Sequence, residues 1–218
     1  MEIKSPQVTA PRSSSTRYQQ QRQKAIAAAA TVFAHKGYHG ASTQDIATEM
    51  GIQQGSLYYY FDSKEAALEE VCLVALRDYV SAMDETVAQV GPCTEKLATC
   101  ISLHLASYRK HNEAMKVHNE QRLYLPESRR QQLKDLGSHY RQQLERIFEE
   151  GVSCGQLEAA LDCHFAARSL IGLCNYWGSM QLRDNTSVPE RLEQKILQLT
   201  LNGCLCSAYQ STEKGFLP

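Results

Sequence analysis

The sequence predicts an all-α protein, and three observations carry the prediction. Only 12 Gly and 6 Pro are spread over 218 residues, too few for the frequent tight turns of a many-stranded sandwich or barrel. Apolar residues recur three and four positions apart along most of the chain. Hydrophobic residues make up 43% and charged residues 22%, a composition that builds a core and lies far from that of disordered chains. About nine helices are expected: three in an N-terminal helix-turn-helix domain and the rest in a larger C-terminal helical domain.

Residues 1–16 read as a flexible polar arm containing Ser13, Ser14 and Ser15. The first helix is expected over about residues 17–36, with Ile26, Ala29, Ala30 and Phe33 on one face and Gly37 placed to end it. Ser42, Thr43, Gln44 and Asp45 then offer capping oxygens to a helix whose inner face is Ile46, Ala47 and Met50. Gly51 breaks that helix after two turns, Ile52 plugs the turn, and helical spacing resumes over residues 53–61. Two short helices joined by a Gly-containing turn make a helix-turn-helix unit, assigned to residues 17–64.

In such a unit the second helix enters the DNA major groove with its first residues at base edges. Gln53, Gln54, Gly55 and Ser56 occupy that start with amide or small side chains. Tyr58, Tyr59 and Tyr60 follow; successive helical residues are ~100° apart, so all three cannot enter one core. At least one faces outward, where its hydroxyl can meet phosphate. Charge agrees: residues 1–64 hold seven basic and four acidic side chains, although the whole chain is at −1.

Residues 65–210 read as a larger helical domain. A long helix from Ser63 carries Leu68, Val71, Val74 and Ala75 and stops near Gly91-Pro92. Cys93-Thr94-Glu95 opens the next, with Leu97, Ile101, Leu105 and Tyr108 on one stripe. Two shorter pieces lead to Pro126, well placed to start a helix through Leu133, Leu136, Tyr140, Leu144, Ile147 and Phe148. Asp162 can cap the following helix, which holds Phe165, Leu170, Leu173 and Trp177. In the last helix Leu192, Ile196, Leu199, Gly203 and Cys206 alternate spacings of four and three, a heptad-like seam for a homodimer or for the chain's own core. Residues 211–218 form a tail.

The ordered string Val32-Phe33-Ala34, Gly37-Tyr38, Ser42-Thr43, Asp45-Ile46-Ala47, Gly51-Ile52, Gly55-Ser56-Leu57-Tyr58-Tyr59-Tyr60-Phe61 and Ser63-Lys64-Glu65 resembles the DNA-binding domain of the TetR family of bacterial transcriptional regulators. The resemblance implies base or groove-floor contacts from Gln53, Gln54, Gly55 and Tyr58. It also implies phosphate contacts from Tyr59, Tyr60 and Lys64 and one near Thr43. Residues 123–140, 147–151 and 155–157 look like the effector domain of a TetR branch that answers acyl-CoA thioesters. The chain is therefore expected to be a homodimeric repressor that leaves a palindromic double-stranded DNA operator when a small-molecule effector, an acyl-CoA or other hydrophobic metabolite, binds. Candidate pocket residues are His104, Tyr108, His118, Tyr140, Asn175 and Trp177, with core packing the alternative for each.

Other chemistry finds little support. The sequence has no phosphate-binding loop, dinucleotide fingerprint or zinc-protease motif. Gly151-Val152-Ser153-Cys154-Gly155 matches a nucleophile elbow in letters but lacks the preceding strand. His104, His111 and His118 are seven residues apart, ~10.5 Å of helix rise, too far for adjacent pairs to share a metal. No enzyme activity, metal or cofactor is expected. No run approaches the ~20 apolar residues of a membrane span, which points to a cytoplasmic protein without membrane partners. Eight Cys within helical patterns read as reduced thiols. A cysteine-based redox-sensing regulator and a helical protein-interaction module remain as alternatives.

Overall fold

The computed structural model describes residues 12–183 and 188–202, with side chains from residue 16 onward. Those residues form α1 (Arg12–Gly40), α2 (Thr43–Met50), α3 (Gln54–Leu57), α4 (Lys64–Ala88), α5 (Cys93–Lys110), α6 (Asn112–Gln121), α7 (Glu127–Ser153), α8 (Cys163–Arg183) and α9 (Leu192–Asn202), with one 3-10 turn at Arg122–Tyr124. No strand occurs among the described residues. α1 starts five residues before the expected Arg17 and is interrupted at Gly37, whose φ of 69° is open to glycine at little cost.

The N-terminal helices follow their local chemistry. Ser42 and Asp45 form a capping box: the Asp45 backbone N–H donates to Ser42 Oγ, and Asp45 Oδ2 accepts from the Ser42 N–H and hydroxyl. The Lys36 ammonium 2.6 Å away and the bonds from Ser42 hold the Asp45 carboxyl down at about 2. Gly51 closes α2 in the left-handed conformation. α3 is shorter than the periodicity predicts: it spans four residues and passes into a turn over Tyr58, Tyr59 and Tyr60.

α1, α2 and α3 close over the first half of α4, burying Ala29, Phe33, Ile46, Leu57, Phe61 and Leu68. α6 packs onto the same core through Ala114, Met115 and Val117. A second core joins the end of α4 to α5, α7, α8 and α9 through Met83, Leu97, Ile101, Leu144, Ile147, Phe148 and Leu170. α4 thus crosses from one core to the other, with Tyr79 packed against both.

Two clamps fix the far end. The α5 N-terminus has no side-chain cap of its own, and Gln156 Oε1 accepts the Cys93 N–H at 2.7 Å. The buried Lys96 ammonium donates to the Val87 carbonyl and to Glu150 Oε2, joining α4, α5 and α7. The sequence-level stop near Gly91 falls slightly late, since α4 ends at Ala88. Asp162 Oδ1 accepts from the Phe165 N–H as a cap of α8. Ser153 ends the long α7 helix, so no strand precedes the elbow-like letters.

Candidate nucleic-acid interface and effector cavity

The helix-turn-helix presents a continuous polar surface. Gln53, Gly55 and Ser56 are exposed, and Tyr58 and Tyr59 remain 52% and 70% accessible. Leu57 alone of α3 turns inward, which aims its neighbours away from the core. Gln54 Nε2 donates to Thr43 Oγ1 at 2.8 Å, tying the start of α3 to the start of α2. Tyr18 of α1 braces the tyrosine turn, edge-on to Tyr59 at 5.3 Å and stacked on Tyr60 at 6.1 Å.

Lys64 is more constrained than its sequence suggests. Its ammonium donates to the carbonyls of Tyr38 and Ala41 at 2.9 and 3.0 Å and lies 4.3 Å from the Tyr38 ring centre. One of its three donors remains for another acceptor. The Tyr38 hydroxyl in turn donates to Glu65. Burial, followed by the bond and negative charge of Glu65, pushes the Tyr38 phenol up to about 12.

In the C-terminal domain α4, α5, α6, α7 and α8 surround a cavity of about 590 Å³. Four expected pocket residues line it: His104, His118, Tyr140 and Asn175. Tyr108 lies in the wall, 1% exposed, with its hydroxyl 3.3 Å from Asn175 Oδ1. Trp177 is not among the lining residues; it packs against the second core and meets Tyr176 edge-on.

His104 organises the polar part of the cavity. Its Nδ1 is 2.8 Å from the Tyr140 hydroxyl and its Nε2 is 3.0 Å from Asn175 Oδ1. An amide oxygen only accepts, so Nε2 carries the proton and bare Nδ1 accepts from Tyr140. Burial drives the His104 imidazole down to about 4, and the Asn175 bond only partly opposes it. His118 is likewise held down to about 4, chiefly by burial and then by the Arg122 charge. Both rings are neutral at neutral pH.

Sequence reasoning missed the cavity's charge. Arg122, Arg130, Lys134 and Arg141 line it, and no carboxylate among the described residues does. Glu127 pairs with both Arg130 and Lys134, whereas Arg141 donates to Ser138 Oγ and Arg122 to the carbonyls of His118 and Asn119. The readable signal is a cationic stripe on α7 at positions 130, 134 and 141, interrupted by small Gly137 and Ser138. A groove of about 700 Å³ adjoins the cavity at Asn119, Arg122 and Asn175 and adds Lys116 and Arg183.

None of the described thiols lines the cavity. Burial pushes Cys72, Cys100 and Cys174 up to about 12, so these carry almost no thiolate near pH 7. Cys154 is exposed, and no cluster of three metal-binding side chains occurs among the described residues. No helix among them is long and apolar enough to cross a membrane. In α9, Leu192 and Ile196 are buried in the chain's own second core while Leu199 is 43% exposed. Gly203 and Cys206 lie outside the described residues.

Comparison with known proteins agrees with this architecture. Residues 25–71 match the family model for bacterial regulatory proteins of the tetR family, and residues 90–179 match that for the tetracyclin repressor-like C-terminal domain. The fatty acid metabolism regulator protein of Bacillus subtilis is 30% identical over 148 residues, covering 67% of this chain and 76% of that protein. The transcriptional repressor KstR2 of Rhodococcus jostii is 29% identical over 143 residues, covering 65% and 70%. Among solved structures, the TetR-family regulator PfmR of Thermus thermophilus superposes with a TM-score of 0.74 at 25% identity, covering 84% of this chain and 99% of that one. FadR of Bacillus subtilis, solved with stearoyl-CoA, shares the fold with a TM-score of 0.72 at 24% identity, covering 84% and 99%. With a helix-turn-helix at one end and a helical domain enclosing a cavity at the other, the chain belongs to the tetR family of bacterial transcriptional regulators.

Proposed function

We propose that the protein is a homodimeric repressor that releases a palindromic operator when an acyl-CoA thioester fills the α4–α8 cavity. The observation that carries this reading is the cavity's composition among the described residues: four cationic side chains and no carboxylate, beside apolar walls from Leu76, Met115, Leu133 and Ile171. An amphiphile with an anionic head and an apolar tail satisfies both parts. The adjoining groove, where Arg122 and Arg183 outnumber the one carboxylate, Glu120, gives room for a phosphate-bearing moiety, and the Lys116 ammonium at its edge is already given to the Ala34 carbonyl. Matches in Bacillus subtilis support the class: a protein named a regulator of fatty acid metabolism, and the structure of FadR solved with stearoyl-CoA.

Gln53, Gln54, Gly55, Ser56 and Tyr58 face the bases in this reading, and Thr43, Tyr59, Tyr60 and Lys64 face phosphate. Release follows from α6, which lines the cavity through Met115, His118 and Asn119 and is fastened to α1. Lys116 Nζ donates to the Ala34 carbonyl, Gln121 Nε2 to the Phe33 carbonyl and Thr31 Oγ1 to Glu113. A ligand that binds one α6 position more tightly than the other shifts α1 and the reading helix with it.

The test is a mobility shift of the full chain on DNA upstream of its own coding region, titrated with palmitoyl-CoA. A specific, salt-dependent complex that dissociates with palmitoyl-CoA is expected. A complex that ignores thioesters but dissociates with peroxide and re-forms with reductant would favour thiol sensing instead.

A further inference from the structure

We propose that the effector's acyl portion carries a hydroxyl or keto oxygen beyond its thioester, and that Tyr79 and Asn175 select for it. The inference rests on the effector reading above and narrows it from acyl-CoA thioesters to oxygenated ones.

The His104 network leaves a specific set of hydrogen-bonding groups unspent. Asn175 Oδ1 already accepts from His104 Nε2 and from the Tyr108 hydroxyl, while neither Asn175 Nδ2 proton has a partner among the described residues. The Tyr140 hydroxyl spends its proton on His104 Nδ1 and keeps an acceptor lone pair. Tyr79, packed between the two cores, lines the cavity with a hydroxyl that meets no partner among the described residues. Donors and acceptors from α4, α7 and α8 therefore converge on the cavity around His104 of α5.

These groups are also held in place. The His104 ring lies stacked between Tyr79 at 5.2 Å and Tyr108 at 6.0 Å, and Tyr140 stands edge-on to both Tyr79 and His104 at 5.0 and 5.5 Å. Four rings braced against one another cannot all turn their polar atoms away to suit an alkyl chain. A saturated tail entering here displaces the water on these groups and returns no hydrogen bond, whereas a hydroxyl or keto oxygen replaces it. A site that hydrogen-bonds a ligand oxygen discriminates against the analogue that lacks it. The apolar walls still receive the carbon skeleton, so the class is an oxygenated acyl thioester and not a sugar or nucleotide.

Calorimetric titration of the full chain with matched thioesters tests the proposal. One pair is 3-phenylpropanoyl-CoA and 3-(4-hydroxyphenyl)propanoyl-CoA; the second is octanoyl-CoA and 8-hydroxyoctanoyl-CoA; palmitoyl-CoA and free CoA complete the set. The hydroxylated member of at least one pair is expected to bind about tenfold tighter or better. In Tyr79→Phe and Asn175→Leu that ratio is expected to fall to within about twofold, with the thermal midpoint recorded to verify folding. Equal or tighter binding of the plain member in both pairs, or binding of palmitoyl-CoA alone, overturns the proposal and leaves the acyl-CoA reading standing. A preference that survives both substitutions overturns the assignment to these residues. If no thioester binds the folded chain, this inference and the acyl-CoA reading fall together.

Discussion

At the scale of single residues, close packing and burial around the cavity set two measurable consequences. A β-carbon on Gly178 would lie 2.4 Å from the Tyr108 ring, which is itself 1% exposed and stacked on His104. Gly178→Ala is therefore expected to cost about 1–3 kcal/mol through overpacking, read as a lower urea midpoint with an unchanged slope. An unchanged midpoint would show that the Tyr108 ring has room to retreat. The second consequence concerns His104 and His118, both held down to about 4 when folded and near 6.5 when unfolded. Between those values the unfolded chain binds more protons, so their contribution is complete above pH ~6.5 and is lost as pH falls toward ~4. Each neutral ring adds a slope of up to about 1.4 kcal/mol per pH unit in that window. Urea unfolding at pH 7, 6 and 5 should show the decline, and His118→Gln should make it shallower. A slope identical to that of the parent chain would place His118 in a more hydrated setting than its burial implies.

At the scale of helices, α6 is both a wall of the cavity and a support of α1, through the Lys116–Ala34 and Gln121–Phe33 bonds across 82 and 88 residues of sequence. Combining Lys116→Met with Gln121→Leu removes both donors while keeping side-chain bulk. Palmitoyl-CoA should then still bind by calorimetry, but the loss of DNA affinity that it causes should shrink by about fivefold or more, within the usual 1–3 kcal/mol of coupling. Full coupling in the double variant would route the signal through α4 instead. Helices also mark where the sequence was legible. Ser42, Asp45, Gly51 and the small residues of α3 have local roles that spacing reveals, and the structure places them as caps, stop and exposed surface. Arg130, Lys134 and Arg141 look like any solvated helix face until α4 and α8 fold against α7 and make that face one wall of a cavity. Tyr79 is invisible for a similar reason: its meaning comes from α5 and α7, which follow it in the chain.

At the scale of the whole molecule, a two-fold operator requires a second copy, because two reading helices must meet half-sites about 34–36 Å apart. The sequence pointed to α9 for that contact, yet Leu192 and Ile196 are spent on the chain's own core. Among the described residues, an exposed apolar stripe lies along α8, where Phe165 is 69% and Tyr176 58% exposed, with exposed Ser169 and Gly172 between them at helical spacing; Leu199 of α9 is 43% exposed. Small residues between aromatic ones let two α8 helices approach closely, and a symmetric contact sets each stripe against its copy. Charge placed on that stripe would face like charge across the two-fold axis without disturbing either core. Phe165→Glu with Tyr176→Glu is therefore expected to yield a folded monomer by light scattering, with a helical circular dichroism spectrum like that of the parent. Its operator affinity should fall by about 100-fold or more, since each reading domain then binds its half-site without the other. A variant that remains dimeric would move the interface away from α8, and a monomer with undiminished operator affinity would remove the need for a second copy.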